Sequence, residues 1–226
     1  STDVITNDNV FQACFTDPNQ GTASAQYIAD NNLGTKVAVI YDSSSVYSSG
    51  IEATFVEEAQ NKGLEVVAEE AFTADSKKDF STQLQKAQSA GADLVFLPIY
   101  YTEASIILTQ ANGMGYEPAF FGVDGMDGIL GVENFDTSLA ESVMLLTPFA
   151  ADADDEKTKA FVSTYKEKYG DVPNQFAADA YDAIYVIKAA IEQAGATPDM
   201  SASDLGTALT GAMTSISVDG LTGEGM

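Results

Sequence analysis

Val37-Ala38-Val39-Ile40, running into Tyr41-Asp42-Ser43-Ser44-Ser45-Val46-Tyr47, decides the fold. Four apolar residues in a row, bounded by polar punctuation, predict a buried strand. Leu94-Val95-Phe96-Leu97 repeats the pattern and runs into Pro98-Ile99-Tyr100-Tyr101. Phe120-Phe121-Gly122-Val123 repeats it again and runs into Asp124-Gly125. A helical pattern follows the first two runs. In a parallel sheet with crossover helices, such strand ends gather on one edge, where open α/β folds bind ligands. Tyr47, Tyr100, Tyr101 and Asp124 are therefore expected together, as apolar walls with one carboxylate.

Outward from these runs, strand and helix alternate from Val10 to Thr147. The predicted strands are Val10–Cys14, Lys36–Tyr41, Leu64–Phe72, Asp93–Pro98, Ala119–Val123 and Ser142–Thr147. Between them lie a helix opened by Asp17 as N-cap with Pro18 at its first position, and one burying Ile51, Phe55 and Ala59 before Gly63. A third carries Phe80, Leu84 and Ala87 inward behind Asp79, and a fourth runs from Thr102 to Gly113. Asp42 and Ser43–Ser45 are most simply caps for the helix that follows them. This alternation predicts a doubly wound α/β domain.

After Pro148 the texture changes. Ala151-Asp152-Ala153-Asp154-Asp155-Glu156 suits the positive end of a helix dipole. Three helices follow with almost no strand between them. Phe161, Tyr165 and Tyr169 share one face before a stop at Gly170, and Phe176, Ala180, Tyr181, Ile184, Ile187 and Ile191 line a long helix ending at Gly195. Ser203 is read as the cap of the third. These apolar faces need a partner, and the sequence offers them no second sheet.

Composition excludes several functions. The 226 residues carry 34 acidic and 10 basic side chains, a formal net charge of −24, and every cation is lysine. Such a surface repels nucleic acid and anionic lipid. There is no His, so Ser-His-Asp, Cys-His and HExxH sites are impossible. The single cysteine, Cys14, cannot form an internal disulfide and is expected to pack as a small hydrophobe. No apolar run approaches the roughly 18 residues that span a bilayer. The start shows no signal peptide, and Ser1 is expected to fall inside a longer sequence. Gly113-Met114-Gly115 is too incomplete for a dinucleotide fingerprint. Asp124 and Asp127 fail the calcium-loop spacing, so no metal or cofactor is expected.

The chain resembles the type I periplasmic binding proteins that feed branched-chain amino acid ABC transporters, over essentially its whole length. The most specific stretch is Phe161-x3-Tyr165-x3-Tyr169-Gly170-x2-Pro173-x2-Phe176-Ala177-Ala178-x2-Tyr181-Asp182-Ala183. Asn9-Val10-Phe11, Thr16-Asp17-x2-Gln20-Gly21, Tyr41-Asp42 with Tyr47-x2-Gly50, Asp79-Phe80-Ser81, Phe96-Leu97-Pro98 with Tyr100-Tyr101-x-Glu103-Ala104, and Gly122-x-Asp124-Gly125 extend it.

The resemblance implies two α/β lobes joined by three hinge crossings that close over a small amino acid-like ligand. It places residues 1–8 in a crossing, 9–147 in the second lobe, 148–217 in the helical part of the first, and 218–226 in a return hinge. The opening units of the first lobe and a stretch after Met226 are expected to lie outside this sequence. The missing first-lobe segment, another chain or a second copy is then expected to cover residues 155–214. The resemblance gives Asp124 to the ligand's ammonium and Tyr100 and Tyr47 to its walls, with Phe176 as an aromatic from the first lobe. On its own pattern, Phe176 reads as core. Tyr101 is the weaker wall, because neighbours on a strand point to opposite sides.

The implied protein is an extracytoplasmic, non-enzymatic solute-binding protein serving an ABC permease. It is periplasmic or extracellular, and a lipid anchor is compatible with its full length. A sensory domain of the same fold is an alternative. So is an α/β enzyme using Asp124 as general base, against which the missing nucleophile elbow and phosphate loop argue.

Overall fold

A computed structural model describes residues 5–226, which form two compact units. One runs Thr16–Thr147. The other combines Pro148–Met226 with the described residues up to Phe15.

The first unit is a five-stranded parallel sheet in the order β2-β1-β3-β4-β5, built from β1 Lys36–Asp42, β2 Glu65–Phe72, β3 Leu94–Leu97, β4 Ala119–Gly122 and β5 Met144–Leu145. The helices are α1 Asp17–Asp30, α2 Val46–Lys62, α3 Ser81–Ser89 and α4 Tyr101–Gly113. The chain leaves β1 toward β2 through α2, then returns past β1 to β3 through α3. Right-handed crossovers therefore put α2 on one face and α3 and α4 on the other.

Two apolar clusters result. On one face Phe55 of α2 stacks on Phe96 of β3, ring centroids 3.9 Å apart, with Ile28 and Ile51 fully buried beside them. On the other, Phe80, Leu84 and Ile107 pack against Ile40, Val95 and Leu97. Each such side chain contributes about 1.5–3 kcal/mol on leaving water. The stops expected at Gly63, Gly170 and Gly195 are left-handed C-caps.

The structure corrects several expected boundaries. No strand forms over Val10–Cys14; Gln12 instead turns its amide onto Phe15 O at 3.2 Å and Cys14 Sγ at 3.5 Å, and Phe11 is exposed. With no ladder to join, this run groups with the second unit. The N-cap of α1 is Thr16, and Asp17 lies buried in its first turn. β5 is two residues long, because only Met144 and Leu145 pair with β4 before Leu146 N reaches Gly122 O. Of the crossing expected over residues 1–8, the first four lie outside the described residues and 5–8 form no strand.

The second unit holds α5 Glu156–Tyr169, α6 Gln175–Ala194 and α7 Ala202–Met213. Asp155, Asn174 and Ser201 accept backbone N–H bonds as their caps. Ser201 replaces the expected Ser203, since its hydroxyl accepts Asp204 N at 3.1 Å and donates to that carboxylate at 2.7 Å. The small core here is Phe149, Val162 and Ala178, with Phe161 and Leu221 against it. Phe176 is not core: it is 39% exposed, as is Ile191, while Ile184 is 64% and Ile187 42% exposed. The face predicted to need cover is open to solvent.

Residues 218–226 form no strand. They fold back so that Val218 and Met226 exchange two backbone hydrogen bonds, at 2.9 and 3.0 Å. The buried carboxylate of Asp182, on α6, holds the turn. It accepts from Leu221 N and Thr222 N and from the Thr222 hydroxyl, all at 2.8 Å.

Candidate functional site

The site lies in the first unit, at the C-terminal edge of the sheet. The strand order reverses between β1 and β3, so the crossovers leaving these two strands diverge and a crevice opens between them. Tyr47 stands in the first turn of α2, after β1. Tyr100 is the N-cap of α4, after β3. Asp124 opens the tight turn Asp124–Met126, after β4.

The structure brings these three together. Tyr47 stacks on Tyr100 with ring centroids 4.9 Å apart and planes 26° from parallel. The Tyr47 hydroxyl donates to Asp124 Oδ1 in a short hydrogen bond and accepts Gly125 N–H at 3.0 Å. Tyr47 is 9% exposed and Asp124 equally buried, whereas Tyr100 is 46% exposed. One ring is thus anchored from below and the other faces solvent. Burial, then the charge of Asp124, holds the Tyr47 phenol far above the ordinary tyrosine range. It is a neutral donor at any physiological pH.

Gly125 makes this packing possible. A Cβ there would lie 2.6 Å from the Tyr47 hydroxyl and 2.8 Å from Ile99 O. Backbone and phenol approach too closely for any side chain.

Around the crevice a second set of bonds fixes the loops. Ser45 caps α2, as the serine run predicts, and Asp42 accepts Ser44 N at 2.9 Å. Lys77 spans Asp42 at 3.0 Å and Glu103, in the first turn of α4, at 3.3 Å. Burial of Asp42 works against its ionisation. Hydrogen bonds from Ser44 and Lys77 prevail and hold it below the usual carboxylate range.

Tyr101 does not join the cluster. It begins α4 and packs against the apolar cluster of Phe80, Leu97 and Ile107. Phe176 belongs to the second unit, at the second position of α6. The residue that sequence reasoning passed over is Gln20. It is 1% exposed on α1, and its Oε1 accepts Asp124 N–H at 3.2 Å. Its only trace in the sequence is the Asp17-x2-Gln20-Gly21 spacing.

Chemically, a buried carboxylate beside an exposed aromatic ring suits a cation that carries an apolar body. Among the described residues there is no cluster of three metal-ligating side chains, and no helix is long and apolar enough to cross a membrane.

Residues 1–226 match the sequence profile of a family described as periplasmic binding protein. The leucine-, isoleucine-, valine-, threonine- and alanine-binding protein of Pseudomonas aeruginosa is 29% identical over 197 residues, covering 87% of this chain and 52% of that protein. The branched-chain amino acid transporter substrate-binding protein LivJ from Streptococcus pneumoniae, solved with isoleucine, is 30% identical with a TM-score of 0.83. That match covers 96% of this chain and 59% of LivJ. The leucine-binding protein LivK from Thermotoga maritima is 28% identical with a TM-score of 0.82, covering 97% of this chain and 60% of LivK. The chain spans about half the length of the curated relatives it matches.

Proposed function

The chain belongs to the periplasmic binding protein family, and from that premise we propose that it captures a small amino acid-like ligand outside the cytoplasm and serves an ABC permease. The observation that supports this reading is the Asp124 carboxylate, oriented by Tyr47 beside the exposed ring of Tyr100. The ligand's ammonium pairs with Asp124, and its apolar body lies along Tyr100. Binding favours a closed arrangement of two lobes, and the protein turns nothing over.

Calorimetry with leucine, isoleucine and valine tests the reading, set against their N-acetyl derivatives, which lack the ammonium. The free amino acids are expected to bind and the acetylated ones not to. Equal binding of both sets, or hydrolytic activity that vanishes in Asp124→Ala, would replace the proposal with another.

In the same reading the apolar faces of α5 and α6 are covered in the working protein, by another chain or a second copy. Several large apolar side chains at about 1.5–3 kcal/mol each give a strong drive toward cover. Alone in solution, the 226-residue chain is expected to dimerise with concentration or to bind a hydrophobic dye strongly. A monomer by light scattering with no dye binding would refute this.

A further inference from the structure

Gln20 lies in the opening turns of α1, 104 residues from Asp124 along the chain. Its side chain is split in fate. Oε1 accepts Asp124 N–H at 3.2 Å, while Nε2 is buried and has no hydrogen-bond partner among the described residues. A buried donor without a partner is a standing cost to the fold. If this position needed only volume, an apolar side chain of the same length would fill it without that cost.

The single bond that Gln20 does make explains the amide. Asp124 begins a tight turn after Val123, whose backbone is extended at φ −121° and ψ −175°. The turn closes through Met126 N to Val123 O at 2.9 Å and Asp127 N to Asp124 O at 3.0 Å. Neither bond uses the N–H of Asp124 or of Gly125. Gln20 takes the first of these and the Tyr47 hydroxyl takes the second. Backbone orientation at Asp124 sets the direction of its Cα–Cβ bond, and so decides whether the carboxylate meets the Tyr47 hydroxyl.

We propose that Gln20 is the positioning residue for the ligand-binding carboxylate, acting through the Asp124 N–H to aim the side chain at Tyr47 and the crevice. The proposal rests on the reading of Asp124 as the ammonium partner, but the aim of the carboxylate is measurable without ligand.

The test compares Gln20→Met, which keeps the length and removes both the acceptor and the orphan donor, with Gln20→Glu, which keeps an acceptor oxygen. Three quantities are measured on the whole chain: the melting temperature, the leucine affinity, and the hydroxyl proton resonance of Tyr47, assigned by its loss in Tyr47→Phe. Gln20→Met is expected to melt no lower than the parent, to lose or shift the hydroxyl resonance, and to bind leucine about tenfold or more weakly. Gln20→Glu is expected to keep the resonance and an affinity within about threefold of the parent. A Gln20→Met protein that melts lower or fails to fold, or that keeps resonance and affinity unchanged, would overturn the proposal. So would Met and Glu variants that fall together. If no variant or parent binds an amino acid while the resonance behaves as expected, the ligand reading fails and the positioning role stands.

Discussion

Asp124→Asn is expected to weaken the binding of a zwitterionic amino acid by about 2–5 kcal/mol, the loss that follows when a buried charge loses its partner. The substitution is nearly isosteric, and an Asn side-chain oxygen still accepts the Tyr47 hydroxyl bond that Oδ1 accepts now. Gly125 N–H keeps its bond to the same phenol. Fold and wall are therefore expected to survive, and the change falls on the charge proposed to face the ammonium. Titration calorimetry of parent and variant with leucine measures it. An affinity within about twofold, well under ~1 kcal/mol, would remove Asp124 from the ligand's ammonium.

Asp182→Ala destabilises the second unit by about 3–5 kcal/mol, on the rule that each buried donor left without an acceptor costs ~1–3 kcal/mol. Asp182 is 1% exposed and accepts from Leu221 N, Thr222 N and the Thr222 hydroxyl. The chain also crosses it at Gly220, where a Cβ would meet the carboxylate carbon at 2.6 Å, so no side chain fits at that crossing. Asp182→Asn retains one acceptor and should cost less. Denaturant unfolding gives the energies, and hydrogen exchange at the Leu221 and Thr222 amides locates them. Unchanged protection of those amides in Asp182→Ala would show that the turn stands without its carboxylate.

The parts of this fold legible in the sequence are those governed by local rules. Val37–Ile40, Leu94–Leu97 and Phe120–Gly122 are short continuous apolar runs buried on both faces of a parallel sheet, and such runs read directly. The helix ends at Gly63, Gly170 and Gly195 read directly because a left-handed stop is a property of one residue. Convergence of Tyr47, Tyr100 and Asp124 followed from topology alone, since strand ends in a parallel sheet share an edge.

What could not be read depends on partners distant in sequence. Val10–Cys14 has the composition of a strand, but a strand exists only where a neighbour offers a ladder, and here side-chain bonds from Gln12 close a loop instead. Tyr47 stands on a first helical turn, a place that carries no local signal of burial. Its burial comes from the Asp124–Gly125 turn, far along the chain. Phe176 shares a helical face with Ile184, which locally signals core, yet that face is open. Gln20 gave no local sign of its role, because an amide on a first helical turn is ordinarily solvated.

The strand order leaves β2 at one end of the sheet, and its rim of backbone groups is a template onto which another strand can add. Glu65, Glu69 and Glu70 line that strand, and Glu52 of α2 leans toward Glu69, its carboxyl pushed up to about 7 by burial and then by Glu69 itself. Lys86 pairs with Glu70 at 2.7 Å, which leaves Glu52, Glu65 and Glu69 as the fence of like charge that repels an incoming edge at neutral pH and above. As pH falls through about 7, Glu52 takes up a proton. Its affinity for that proton is greater folded than unfolded, so this uptake stabilises the fold while lowering the fence. The net charge of the chain falls to zero near pH 4.1. Mild acid is therefore expected to relieve the Glu52–Glu69 repulsion and, with the same proton, to thin the charge that guards this edge.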